Sequence, residues 1–286
     1  MKKLVQNKTF DEERALYNIN DAQIINCNFE GPMDGESVLK ECRDYNVIDC
    51  SFSLRYPMWH GENFSLINSK MDEKTRAPIW YSKNGNIENS KIYGIKCIRE
   101  CENIIIKKCN INSSEFGWKS DNLKIYDTHI ISEYFLFDSK NIEIKNINMK
   151  GKYSFQYIEN LNIKDSYLDT KDAFWHSKNI IVENSYVKGE YLGWFSQNLT
   201  LVNCKIIGTQ PLCYCKNLKL IDCTMENTDL SFEYSDVDAK IKGSIMSVKN
   251  PKSGIIEADM VDEIIMEKDV VMECNGTVKI RKKVAV

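Results

Sequence analysis

All five tryptophans of this 286-residue chain fall in one periodic series: Trp59, Trp80, Arg99, Trp118, Phe137, Gln156, Trp175, Trp194, Cys213 and Phe232, spaced by 19 residues after the first step. The residue after each forms a second, polar and aromatic series: His60, Tyr81, Glu100, Lys119, Asp138, Tyr157, His176, Phe195, Tyr214 and Glu233. Rings recurring beside carboxylates, basic groups and two of the three histidines suit a sugar, whose C–H faces pack on rings while its hydroxyls bond a charged rim. The expected ligand surface is Trp59, His60, Trp80, Arg99, Trp118, Tyr157, Trp175 and Trp194. For acid–base work the candidates are Asp138, Asp172 and His176, through Asp138 with Tyr157 and His176, or Asp172 near His176. Glu100 and Asp138 are two periods apart. If successive periods stack as strands, that is about 9.6 Å, near the upper end for an inverting glycosidase. Lys119 sits between them, however, and a Glu, Lys, Asp alternation is what neutralising a charge ladder produces.

What could bring residues 19 apart into neighbouring places? The chain repeats a nine-residue phrase: NIIIKKCNI from Asn103, NLKIYDTHI from Asn122, NIEIKNINM from Asn141, NLNIKDSYL from Asn160, NIIVENSYV from Asn179, NLTLVNCKI from Asn198 and NLKLIDCTM from Asn217. NGNIENSKI from Asn84 keeps the same 19-residue register, further copies open at Asn63, Asp44 and Asp21 with spacings of 21, 19 and 23, and a degraded one opens at Asp236. Apolar residues occupy the second, fourth and ninth places, a period-two strand pattern. Nineteen residues are too few for a strand, a crossover helix and two loops, which need roughly 30 or more. Each repeat is therefore one coil of short strands whose neighbours lie on the coils before and after. The predicted fold is all-β, a single-stranded right-handed parallel β-helix of about a dozen coils. A leucine-rich horseshoe is the rival, but the second half of each repeat carries Trp, Tyr, Gly and charges instead of a helical return.

The polar columns predict the corners. Asn or Asp fills the sixth place almost throughout (Asn26, Asp49, Asn68, Asn89, Asp127), and these residues tolerate the left-handed backbone of a sharp bend. Small residues follow (Cys27, Cys50, Ser69, Ser90, Cys109), as an inward-pointing corner requires. The opening Asn is expected to form a second ladder, amide on amide. Because Met58, Ile79, Ile98, Leu136, Phe155, Phe174 and Leu212 precede members of the Trp series, alternation turns that series outward. Two alternatives stand beside this: the indoles fill the interior, against which Arg99 and Gln156 count, or they stack on one another as a structural ladder.

One domain is expected over 1–286, with residues 1–20 as an N-terminal cap, regular coils over 21–235, and irregular coils and a C-terminal cap over 236–286. A net charge of −3 gives no support for nucleic-acid binding. No segment has the length of a signal peptide's apolar core or a membrane span, and eleven cysteines, five in the small corner column, fit reduced thiols. A cytoplasmic location follows as the expectation. Metals and cofactors are not expected, since stacked cysteines spread along an axis where zinc wants four convergent ligands. No phosphate-binding, dinucleotide, GxSxG or HExxH motif occurs.

The segments LRYPMWH, RAPIWY, GIKCIREC, SEFGWKS, KGKYSFQY, LDTKDAFWH, KGEYLGWFS and GTQPLCYC resemble those of a bacterial β-helix family known only as a domain of unknown function, over nearly the whole chain. The coil architecture resembles the pectin-lyase-like superfamily. That resemblance implies the fold and assigns no reaction. The wider superfamily includes polysaccharide lyases and glycoside hydrolases, which implies a carbohydrate ligand and, for an enzyme, chemistry of that type. The Asp pairs and Ca²⁺-binding carboxylate clusters of those enzymes have no counterpart here residue by residue. Two functions are therefore expected to compete: binding, and modification if a catalytic pair exists, of a carbohydrate along the stripe, or a non-catalytic scaffold using the same stripe for protein contact or self-association, as a monomer or homodimer.

Overall fold

The computed structural model describes residues 2–31 and 36–281. Met1 and residues 282–286, at the ends of the two expected caps, lie outside the described residues. Strands, paired in parallel, wind into a β-solenoid of about 14 turns with a period near 19 residues, and there are no helices among the described residues. A leucine-rich horseshoe is thereby excluded. The chain divides into two compact units, Met1–Asn148 and Met149–Val286.

In the first unit the six-residue strands Asn20–Ile25, Arg43–Ile48, Glu62–Ile67, Lys83–Glu88, Glu102–Lys107 and Asp121–Tyr126 stack in register. Period-two alternation sends Ile24, Val47, Leu66, Ile87, Ile106 and Ile125 into one buried column. Shorter strands such as Ser51–Ser53 and Asn110–Asn112 add a column containing Phe29, Phe52, Met71, Ile92 and Ile111. Between long and short strands the chain bends at Asn26, Asp49, Asn68, Asn89 and Asp127, whose φ values lie between 50° and 55°. At the buried corner that follows, the Cys50 N–H donates to Ser69 Oγ at 3.1 Å and the Ser69 N–H to Ser90 Oγ at 3.1 Å. The opening amides also form their ladder, with Asn63 donating to Asp44, Asn84 to Asn63, Asn103 to Asn84 and Asn122 to Asn103 at 2.7–3.1 Å.

At the N-terminal end, Lys3–Gln6 and Thr9–Phe10 pair in parallel with Asn20–Ile25 and Asn28–Glu30. Those first residues are thus wound as a coil like the rest. Phe10 stacks on Phe29 at 5.3 Å. Exposed Lys–Glu pairs join adjacent coils on the outer face, as in Lys83–Glu102 at 3.4 Å, and being solvated they contribute little.

The second unit repeats this plan in the strands Glu159–Lys164, Lys178–Glu183, Gln197–Val202 and Leu218–Glu226, burying Ile163, Val182, Leu201 and Leu220. Where the sequence period fades, the parallel winding continues with shorter steps: Asp236 pairs with Ser253 and Ser244 with Met260, 17 and 16 residues on. A register shift between Leu220 and Cys223 marks the change.

The third side of each coil is a run of turns in which left-handed residues alternate. Tyr153, Phe155 and Tyr157 have φ of 58°, 61° and 57°, and Asp172, Phe174 and His176 have 53°, 63° and 54°. Bulky residues in that conformation are costly, by roughly 1–2 kcal/mol each. Main-chain hydrogen bonds to both adjacent coils hold them there: Tyr157 N–H donates to Trp175 O at 2.8 Å, Phe174 N–H to Ser154 O at 3.0 Å and His176 N–H to Trp194 O at 3.0 Å. The alternation turns Phe155 and Phe174 inward and leaves Tyr157 and His176 outside.

Candidate functional site

The tryptophans occupy the rim of this third side, half-buried in every case. In the first unit Trp59 and Trp80 stack at 5.3 Å with 4° between planes. The Arg99 guanidinium continues the stack, 5.0 Å above the Trp80 ring and 5.9 Å from Trp118, and Trp118 meets Phe137 at 5.1 Å. In the second unit Trp175 and Trp194 stack at 5.4 Å and 5°. Each indole N–H donates to a main-chain carbonyl of the next coil: Trp59 to Ala77, Trp80 to Lys96, Trp118 to Tyr134, Trp175 to Tyr191 and Trp194 to Gln210, at 2.5–2.8 Å.

Gln156 and Arg99, the two polar members of the series, keep its logic. The Gln156 amide donates to Asp172 O at 3.0 Å, replacing an indole N–H, and Arg99 replaces a ring by cation–π stacking. Parallel ring stacking in the series is confined to the pairs Trp59–Trp80 and Trp175–Trp194, and Trp118 meets Phe137 at a tilt of 40°.

The neighbouring column is the more exposed. In the second unit Tyr157, His176, Phe195 and Tyr214 form an unbroken ring stack with centroid separations of 5.0, 5.0 and 4.8 Å and planes within 14°. Tyr157 is 50 % and Phe195 44 % exposed. In the first unit the column holds only His60 on Tyr81, at 5.0 Å, followed by Glu100, Lys119 and Asp138. Glu100 is taken by Arg99 at 3.2 Å.

Of the expected site residues, the first unit brings together Trp59, His60, Trp80, Arg99 and Trp118, with Asp138 exposed after Phe137. The second unit brings together Tyr157, His176, Trp175 and Trp194, with Asp172 on the coil of Trp175 and His176. Phe195, Tyr214, Tyr153 and Tyr191 join the second group although they were not among the expected ligand residues. Their signal was present in the columns beside the tryptophans, which the indoles overshadowed.

Asp172 is buried and desolvation raises its carboxyl above the ordinary range. The ionised form is then the disfavoured one in the fold, so its cost is absent below the unfolded value and develops as pH rises through and beyond it. Asp172→Asn is accordingly expected to raise the thermal midpoint at neutral pH, with the difference from wild type vanishing below about pH 3.8. Thermal melts at both pH values check this, and equal gains at both would show that burial of the charge is not the cause.

The eleven cysteines are unpaired, ten of them buried, and burial pushes the thiols of Cys42, Cys97 and Cys101 up to about 12. They act as small apolar corner residues. Among the described residues no three His, Cys, Asp or Glu side chains gather as metal ligands would. A recess of about 310 Å³ lies on the outer face of the long strands near Ile221, Ala239 and Ile255, away from the ring columns.

These features define a parallel β-helix with an aromatic corner as its distinctive surface. The chain belongs to the family described as "Protein of unknown function (DUF3737)", matched over residues 3–279. No curated protein matches it. Among solved structures it is similar to PfbA, a surface adhesin of Streptococcus pneumoniae, at 11 % identity over 80 % of this chain and 82 % of that one, with a TM-score of 0.47. It is also similar to the A-module of the Azotobacter vinelandii mannuronan C-5 epimerase AlgE4, at 7 % identity over 97 % and 91 % with a TM-score of 0.30. The catalytic domain of a GH87 alpha-1,3-glucanase in complex with nigerose gives 10 % identity over 98 % and 63 % with a TM-score of 0.36.

Proposed function

We propose that this protein binds an extended carbohydrate polymer along the column Tyr157, His176, Phe195 and Tyr214. The observation that carries the reading is one ring per coil over four successive coils, exposed at Tyr157, His176 and Phe195 and half-buried at Tyr214. Coils advance by about 4.8 Å, close to the advance of one sugar unit in an extended β-linked chain. Since the ring faces are occupied, recognition works through ring edges: phenol hydroxyls and imidazole nitrogens bond sugar hydroxyls, and the Phe195 edge meets C–H groups. The Lys171–Glu190 pair, at 3.1 Å, supplies further polar groups on the same side of the coil.

Affinity electrophoresis through gels containing soluble polysaccharides tests this. At least one polysaccharide is expected to retard the wild type, and the double variant Phe195→Ala, Tyr214→Ala should lose the retardation while keeping its circular dichroism. A wild type that no polysaccharide retards, but that dimerises with concentration through Phe195, would replace the reading with a self-association surface.

A further inference from the structure

The recess on the outer face of the long strands in the second unit, about 310 Å³, has Lys219, Ile221, Asp238, Lys240, Ile255 and Glu257 around it. A bulge shapes it. Between Leu220 and Cys223 the register with the following strand shifts, which sets Ile221 and Asp222 opposite the single residue Lys240 and bends the strand.

Four of these six residues are charged, and they stand opposite one another on neighbouring strands, Lys219 with Asp238 and Lys240 with Glu257. Neither pair closes into an ion pair among the described residues. Lys124–Glu143 and Lys164–Glu183, opposed in the same way on other long strands, do close, at 3.9 Å. Ile221 and Ile255 are 43 % and 38 % exposed. Apolar area beside unpaired charges of both signs is what a protein interface uses.

The order of residues along the face selects the partner. Over six paired strands one outward column reads Ile181, Thr200, Lys219, Asp238, Ile255 and Thr277. Folded about its midpoint, between Lys219 and Asp238, this column matches itself: Lys meets Asp, Thr meets Ile and Ile meets Thr. About the same midpoint the column beside it sets Glu183 against Lys279 and Ile221 against the stem of Lys240. No like charges meet. A two-fold axis along the strand Asp236–Ile241 would instead set each Asp238 on the partner's Asp238 and each Lys240 on the partner's Lys240.

We infer that this face docks a second copy of the chain, related by a two-fold axis that runs along the strands between Leu218–Glu226 and Asp236–Ile241. Lys219 of each copy meets the partner's Asp238, and Ile255 meets the partner's Thr200. Six strands about 4.8 Å apart, each about 20 Å long, present roughly 480 Å², against about 800 Å² per partner in a standard interface. The dimer is therefore weak and forms above micromolar concentrations. This inference stands apart from the carbohydrate reading, whose rings lie on another side of the coil.

Sedimentation velocity of the full chain, from micromolar to millimolar concentration, tests it. Wild type is expected to dimerise, and Lys219→Glu and Asp238→Lys each to weaken the dimer at least tenfold, because each sets like charges together at two symmetric places. Both positions are exposed, so neither change disturbs the core. An equimolar mixture of the two variants is expected to regain wild-type association, since the substituted side chains then meet as opposite charges. A wild type that stays monomeric, single variants that associate like wild type, or a mixture that regains nothing overturns the inference. A dimer abolished by Phe195→Ala and untouched by Lys219→Glu also overturns it, and assigns self-association to the ring column.

Discussion

Gly208→Ala is expected to destabilise the protein by roughly 2–5 kcal/mol, combining the strain of a left-handed L-residue with overpacking. Gly208 has φ of 128°, and a methyl group there would stand 2.1 Å from the Gly189 carbonyl oxygen and 2.6 Å from its carbon. Both are backbone atoms of the previous coil, so no side chain can rotate away. The clash must spread into the stack, since Gly189 N–H is itself bound to Ile207 O at 2.9 Å. Gly243 provides the control: its φ of 85° imposes the conformational cost, but nothing lies within 4 Å of an added methyl. Gly243→Ala should cost only about 1–2 kcal/mol. Urea midpoints followed by tryptophan fluorescence compare the two, and equal losses would show that coil-to-coil approach at Gly208 is not limiting.

The winding was legible because a solenoid writes its cross-section repeatedly. Asn and Asp at the sixth place announced bends that the φ values of Asn26, Asp49 and Asn68 bear out, and the opening amides announced their ladder. A second small column two residues before the opening Asn, at Ser82, Cys101, Ser120 and Ser139, was equally visible and not singled out. There the Cys101 N–H donates to Ser120 Oγ at 3.2 Å and the Ser120 N–H to Ser139 Oγ at 3.1 Å. Period loss after residue 236 suggested irregular closure, whereas coils of 17 and 16 residues keep strands parallel without keeping the repeat.

The aromatic corner was legible in position and not in orientation. Period-two alternation assumes extended backbone, but this side of the coil is built from alternating left-handed residues. Nothing in the residue type of Tyr157 or Phe195 announces that conformation, which depends on hydrogen bonds from the coils on either side. The direction of each indole N–H, toward a carbonyl some 16 residues on, is likewise a property of stacking. For that reason Gln156 read as a reason to keep the series outside, when its amide performs the indole's bond.

The largest side-chain effect is expected at Phe174, which is 2 % exposed and stacks on Phe155 at 5.1 Å with 10° between planes. Phe174→Ala removes the ring but keeps an L-residue at φ of 63°, so the strain stays while the packing that offsets it is lost. A cost of about 3–5 kcal/mol follows. Phe174→Leu is the informative partner, because Leu212 occupies the same place two coils on with the same φ of 63°, buried at 2 %. It should cost less than about 1.5 kcal/mol. Phe174 lies between Asp172 on one side and Trp175 and His176 on the other, so the corner that presents those groups is anchored from beneath by this ring. On the carbohydrate reading proposed above, Phe174→Ala should therefore weaken polysaccharide retardation as well as the fold, whereas Phe174→Leu should leave retardation near wild type. Equal stability losses in the two variants, measured by urea titration, would mean that the Phe155–Phe174 stack is not what supports the corner.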